Sequence, residues 1–153
     1  NIGISIKRAG EFIARYLERY PKVHEFMETA KKEGYLNEYA QTLYGRRRKL
    51  PELKSVNANQ RNFGERVAMN MPIQGTAADI IKAAMVRVHR RLGEEGLKAR
   101  LILTVHDELL IETPEEEAVQ VVGLLRESME GVIKLKVPLQ SDIKTGNSWY
   151  ETK

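Results

Sequence analysis

The sequence predicts an α+β fold: an antiparallel sheet with a central acidic hairpin, packed against helices, plus an N-terminal helical hairpin. Three observations carry this. Apolar residues recur at steps of three and four in several separate stretches, which is the spacing of one helix face. Two short apolar runs, Leu101–Val105 and Leu109–Ile111, flank His106-Asp107-Glu108, and such runs read as buried strands joined by a tight turn. Finally, 153 residues with 42% hydrophobic content make one ordinary domain, or a piece of something larger, with enough apolar surface for a packed core.

Taken in order, Ser5 is placed to cap a helix whose apolar positions are Ala9, Phe12, Ile13, Tyr16, Leu17 and Tyr20. Pro21 closes it and suits the first turn of the next helix, where Val23, Phe26, Met27 and Ala30 form a stripe and Gly34 reads as the stop. Tyr35–Leu43 is ambiguous between strand and loop. Tyr44-Gly45-Arg46-Arg47-Arg48-Lys49 puts four cations after a turn glycine, Leu50-Pro51 ends the run, and Ser55–Asn59 reads as an irregular linker. A long helix begins at Gln60, and Pro72 should kink or break it before Gln74. Beyond the proline, Thr76 and Asp79 have capping-box spacing, so Asp79 reads as a helix-start residue. Ala77, Ile80, Ile81, Ala84, Met85, Val88 and Leu92 form the inner face of this second part, and Gly93 and Gly96 bracket a turn into the strand at Leu101. After the acidic hairpin, Thr113-Pro114-Glu115-Glu116 reads as a capped helix start, with Ala118, Val121, Val122, Leu125 and Met129 as the buried stripe. Glu115, Glu116 and Glu117 suit the positive end of that helix. Val132–Ile143 alternates loosely as a further strand or two, with Pro138 pointing to an edge. Gly146–Tyr150 is a terminal turn whose tryptophan anchors the tail.

Charge and composition narrow the chemistry. Residues 1–100 carry 20 Lys/Arg against 11 Asp/Glu, or +9, and residues 101–153 carry 5 against 10, or −5. A basic first part followed by an acidic last part fits a polyanion grip beside a metal-binding end. Cysteine is absent, which excludes disulfides and thiolate metal sites and agrees with a reducing cytoplasm. No run of about 18 apolar residues and no signal-peptide pattern occurs, so no membrane or export role is expected.

Neighbouring cations such as Arg46, Arg47 and Arg48 repel one another and are usually solvated, but a phosphate-rich partner turns that cost into affinity. Arg66, Asn70 and Gln74 fall four apart, along one side of a helix that Gln60, Arg61 and Asn62 begin. Arg, Asn and Gln can donate to minor-groove N3 and O2 acceptors, which every base pair presents alike. Such a stripe could hold a duplex without reading its sequence; a plain solvent-facing side is the alternative. Asp107 and Glu108 raise a similar choice. Ionised carboxylates repel each other and resist desolvation, so a buried pair normally has a cation nearby, and hard oxygen ligands suit Mg²⁺ or Mn²⁺. A solvated hairpin turn explains the same residues. His24 and His89 lie on helices without metal-ligand spacing, so a phosphohydrolase built on His106-Asp107 lacks further ligands.

Several segments together resemble the C-terminal part of the family A DNA polymerases, the bacterial DNA polymerase I type. They are TLYGRRRKLP (42–51), NQRNFGERVAMNMPIQGTAADIIKAAMVRVHRRL (59–92), LTVHDELLIE (103–112) and the ending GNSWYETK (146–153). They run in the expected order along nearly the whole chain, and PIQGTAADI followed by VHDE is far more specific than either alone. The resemblance implies that Asp107 is a metal-binding aspartate, with Glu108 assisting and His106 near the primer end. It implies that Arg66, Asn70 and Gln74 contact template–primer at the minor groove, and that Gln60 and Arg61 lie close to DNA, Gln60 as an uncharged substitute. The reaction implied is nucleotidyl transfer from a dNTP to a primer 3′-hydroxyl by two Mg²⁺ ions, serving replication and repair.

The same comparison implies a second metal-binding aspartate and a triphosphate-holding fingers helix, both upstream of Asn1. Thr104 stands where many relatives have glutamine, and a few extra residues fall between Gly34-Tyr35 and Thr42. The expectation is therefore a fragment, with 1–35 as part of the fingers and 36–153 as a palm portion, lacking thumb and exonuclease and inactive alone. Its partners would be primer–template DNA and, in the full enzyme, dNTP, with no membrane; it would be a monomer in the bacterial cytoplasm, associated with the nucleoid. A non-catalytic duplex-binding module is the second reading, in which the acids are only a turn.

Overall fold

A computed structural model describes residues 3–152, so Asn1 and the last residue of the terminal motif, Lys153, lie outside the described residues. The chain divides into two compact units, Asn1–Thr76 and Ala77–Lys153. Helices α1 (Ile6–Arg19) and α2 (Pro21–Asn37) open the first unit. Ser5 caps α1, its side-chain oxygen accepting the Arg8 N–H at 3.3 Å, and Pro21 occupies the first turn of α2. The pair of helices is where the sequence puts it, but the stripe on α1 is not covered. No described residue of α1 is buried, and Ile13 is 61% exposed. Periodicity tells which face of a helix can be buried, not whether anything lies against it.

Gly34 is not the stop of α2. The helix runs on to Asn37 and ends at Glu38, whose backbone is left-handed (φ 63°) and whose N–H reaches the Gly34 carbonyl at 3.0 Å. Gly34 is buried instead because of close packing: a Cβ there would sit 3.0 Å from the Ala68 Cβ and 3.2 Å from a Leu50 methyl. Strands β1 (Tyr39–Gln41) and β2 (Arg47–Lys49) then pair antiparallel, Tyr39 opposite Lys49 and Gln41 opposite Arg47. Most of the cationic run is thus a strand with all three residues exposed. A 3-10 turn, Pro51–Lys54, leads towards α3 (Ala58–Glu94).

Helix α3 starts two residues before Gln60, inside the stretch read as linker, because the Asn57 side-chain oxygen accepts the Asn59 N–H at 2.9 Å. It also runs through Pro72 without a break. Thr76 and Asp79 are therefore interior residues of a continuous helix and not its start. The core of the first unit is Ala40, Leu50, Leu53, Val67, Ala68 and Met71.

In the second unit, α3 ends with Gly96 left-handed (φ 67°); the Leu97 N–H reaches the Leu92 carbonyl at 3.0 Å and the Gly96 N–H reaches Gly93 at 3.1 Å. That is the bonding of a Schellman stop, which glycine serves at no steric cost. Strands β3 (Arg100–Val105) and β4 (Glu108–Glu112) form the predicted hairpin, Val105 opposite Glu108 and Arg100 opposite Glu112, with a register shift at Ile102. They are less buried than their composition implies: Ile102 is 54% exposed and Leu103 42%. Helix α4 (Ala118–Glu130) follows a 3-10 turn, Glu115–Glu117. The capping box does not form. The Thr113 hydroxyl donates to the Pro114 carbonyl at 3.2 Å, and the carboxylate of Glu117 accepts the Lys98 and Ala99 N–H groups at 2.9 and 3.1 Å. The core gathers Val88, Leu92, Ala99, Val121, Leu124 and Leu125. Leu124 and Ser128 are buried in addition to the expected stripe.

No strand forms between Val132 and Ile143, where the sequence alternates; the segment is held by side chains. The Glu130 carboxylate accepts both the N–H and the hydroxyl of Ser141, at 2.8 and 2.9 Å, which holds its pKa below the ordinary glutamate value. Ile143 packs on the core. A 3-10 turn, Trp149–Thr152, ends the described chain. The fold class is α+β as the sequence predicts, its antiparallel pairing divided between two two-stranded ladders.

Two glycines should respond in opposite directions to alanine. A Cβ on Gly64 would meet the Leu53 Cδ2 at 2.9 Å and the Leu53 backbone nitrogen at 3.1 Å, whereas one on Gly10 meets nothing within 4 Å. Gly64→Ala should cost about 1–3 kcal/mol of stability in urea unfolding, because overpacking outweighs the gain in helix propensity. Gly10→Ala should be neutral or stabilising by up to about 1 kcal/mol.

Candidate functional site

Two groups of predicted residues can be built up, one in each unit. In the first unit the basic run and the polar stripe are brought next to each other. The β1–β2 connection turns tightly: the Thr42 N–H reaches the Arg46 carbonyl at 3.0 Å, the Gly45 N–H reaches the Thr42 carbonyl at 3.0 Å, and Gly45 takes φ 83°. This turn carries Arg46 to α3, where its Nη2 donates to the Gly75 carbonyl at 2.8 Å. A Cβ on Gly75 would lie 2.7 Å from the Thr42 Cγ2, so only glycine lets the turn approach this closely. Arg47 differs: its Nε donates to the Gln41 Oε1 at 2.8 Å, and its guanidinium lies 4.4 Å from the centre of the Tyr39 ring. Stacking of this kind holds a guanidinium flat without neutralising it. Arg48 is exposed.

On α3, Arg66, Asn70 and Gln74 are all exposed, and Arg66 lies 5.9 Å from the centre of the Phe63 ring. Arg61 is turned to a local task, its Nη1 donating to the Ser55 and Val56 carbonyls at 2.9 and 2.8 Å. Gln60 accepts a hydrogen bond from the Ser55 hydroxyl. The sequence reading missed Thr42, Gly75 and Thr76 as the residues that join these two groups. Thr76 is 6% exposed, and its spacing to Asp79 points to a cap and away from this role.

In the second unit, His106 and Asp107 are the two-residue loop between β3 and β4, and Glu108 is the first residue of β4. All three are exposed. His106 takes φ 54°, a region that costs a side chain with a Cβ on the order of 1 kcal/mol. The ladder closes directly behind the turn at Val105–Glu108, so the backbone carrying the carboxylates is fixed even though they face solvent. Two adjacent hard-oxygen donors in the open fit part of a Mg²⁺ or Mn²⁺ shell, since magnesium usually takes one or two carboxylates and completes its octahedron with water and phosphate. Among the described residues no group of three or more His, Cys, Asp or Glu side chains comes together.

The family model for DNA polymerase family A matches residues 1–151. This chain belongs to the family A DNA polymerases. It is 50% identical over all 153 residues to DNA polymerase I of Caldicellulosiruptor bescii and 51% identical to that of Bacillus subtilis, covering 18% and 17% of their lengths. The chain thus spans under a fifth of these family A relatives. It is also similar to a solved structure, the POL domain of Pol1 from M. smegmatis in complex with DNA primer-template and dNTP. The TM-score is 0.94 at 40% identity, covering 99% of this chain and 27% of that one. Among the described residues of this family A chain, no helix is long and apolar enough to cross a membrane.

The strained turn gives a direct check. Glycine adopts φ near 54° freely and a β-branched residue does not. His106→Gly should leave thermal stability unchanged or slightly raised, and His106→Val should lower it by about 1–2 kcal/mol.

Proposed function

We propose that this chain is the catalytic palm portion of a template-directed DNA polymerase, residues 36–153, with residues 1–35 as part of the fingers. The parent enzyme would transfer a nucleotidyl group from a dNTP to a primer 3′-hydroxyl in replication and repair. The observation that carries the reading is the fixed, exposed Asp107-Glu108 pair in a chain about half identical to DNA polymerase I. Membership of the family supports a divalent metal in general, and the donor set favours Mg²⁺, with Mn²⁺ as a substitute.

In this reading Asp107 and Glu108 hold the metal, and His106 lies beside the primer end. A bound divalent ion would supply a lowered hydroxyl pKa and offset charge on phosphate oxygens. The remaining work belongs to side chains of this chain. Arg66, Asn70 and Gln74 donate to minor-groove acceptors and hold the duplex independently of sequence. Arg47 and Arg48 meet backbone phosphates, and Gln60, Arg61 and Arg46 flank the same path while engaged with the protein backbone or a neighbouring side chain. The molecule would work as a monomer on nucleoid DNA in the cytoplasm.

One feature favours the second reading for the chain by itself. The exposed Arg66, Asn70 and Gln74 and the exposed strand cations Arg47 and Arg48 suit the 153 residues alone to act as a duplex-binding module.

Both readings meet in one set of assays. Spliced into Bacillus subtilis DNA polymerase I in place of the matching segment, the chain should sustain Mg²⁺-dependent primer extension. Asp107→Ala in that chimaera should lower extension by a factor on the order of 10³ or more, as loss of a group acting in the transition state does. The 153 residues alone should bind primed template and extend nothing; robust extension by them would overturn the duplex-module reading of the chain by itself. An Asp107→Ala chimaera that kept full activity would remove the metal-binding assignment.

A further inference from the structure

We propose that Thr76, clamped by the Thr42–Arg46 turn, is a positioning residue for Gln74. The inference rests on the reading of Arg66, Asn70 and Gln74 as duplex contacts and adds to it the device that keeps them in line. Pro72 falls between Asn70 and Gln74, and having no N–H it cannot donate to the carbonyl four residues back. A stripe that must present three side chains to one groove therefore crosses the weakest point of its own helix.

What stands close to that point is one bond within the helix and two that reach it from the turn. The Thr76 hydroxyl donates to the Pro72 carbonyl at 2.5 Å and accepts the Leu43 N–H at 3.0 Å. Arg46 donates to the Gly75 carbonyl at 2.8 Å, and its own N–H reaches the Thr42 Oγ1 at 3.2 Å. A helical threonine bonding the carbonyl four residues back is ordinary and by itself tends to bend a helix. The bond from Leu43 is a different matter, because it comes from a turn that also grips the carbonyl of the preceding residue, Gly75. Two successive residues after Gln74 are thereby tied to a rigid turn, and Thr76 is buried, so water does not replace the hydroxyl when it is lost. The direction of Gln74 relative to Asn70 is set by this tie.

A double-mutant cycle on a fluorescently labelled primer–template duplex, read by anisotropy at low salt with the 153-residue chain, tests it. Gln74→Ala should weaken binding about tenfold, and Thr76→Val about fivefold, but Thr76→Val placed on Gln74→Ala should add less than about twofold. Thr76→Ser keeps the hydroxyl and should restore binding. Equal losses from Thr76→Val in both backgrounds, or no loss in either, would overturn the positioning role while leaving the duplex contacts standing. If Gln74→Ala changes nothing, the duplex-contact reading fails and this inference with it. Should Thr76→Val not fold, Thr42→Val, which removes the acceptor for the Arg46 N–H, takes its place in the same cycle with the same expected outcomes.

Discussion

The first unit depends on the close approach of other chain segments to α3, and glycine is what permits it. Gly34 of α2 sits against Ala68, Gly64 against Leu53, and Gly75 against Thr42. Each pair brings a second segment nearer to the helix backbone than a Cβ allows. Packing at that distance excludes water and leaves little room for rotation, so a small core of six buried residues can still hold the first-unit part of α3 in place. The interior glycines each cost helix propensity, roughly 1 kcal/mol apiece, and the contacts must more than offset this.

That constraint explains what was legible in the sequence and what was not. The helical stretches, the Ser5 cap, Pro21 at a first turn and the β3–β4 hairpin depend on neighbours within a few residues, so periodicity and turn chemistry located them. Gly34 and Thr76 were read by the same local rules, as a stop and a cap, and both turned out to serve tertiary contacts. Nothing within four residues of Gly34 announces Ala68, thirty-four positions away. The capping box at Thr113 failed because the chain tightens into a 3-10 turn, Glu115–Glu117, before α4 begins, and the next acid, Glu117, serves the backbone of Lys98 and Ala99. Likewise the alternation from Val132 to Ile143 found no partner strand, and the Glu130–Ser141 bonds took over the work of a ladder. For the site, residue types and spacing marked the acidic turn and the polar stripe, while the tie between Arg46 and Gly75 became visible only in coordinates.

The cations illustrate how position decides the use of a charge. Arg91 is spent on structure, bonding Glu95 and Glu127 at 2.9 Å each, contacts that raise its pKa; the Gln120 amide first and then Arg91 lower that of Glu95. Pairs of this kind on a surface contribute little to stability, and they also remove a cation from what a polyanion can feel. Arg47 and Arg48, by contrast, face solvent from a strand, and Arg47 is held over Tyr39 by an aromatic face that leaves its charge intact. The formal excess in the first hundred residues is therefore not a uniform field. Part of it stands on one exposed strand, at Arg47, Arg48 and Lys49.

The shortfall in burial along β3 and β4 follows from the same economy of placement. In the proposed reading, a carboxylate pair that meets a hydrated metal and a phosphate has to remain accessible. A two-residue turn carries its carboxylates no further than the strands that end at it, so strands buried to their tips would take Asp107 and Glu108 into the core. In this chain Ile102 and Leu103 are partly open behind the turn, and His106 is left-handed within it, which keeps the turn short. Both departures lie within five residues of Asp107, and neither improves the fold. Local rules broken side by side are what the proposed metal-binding role of this turn would account for.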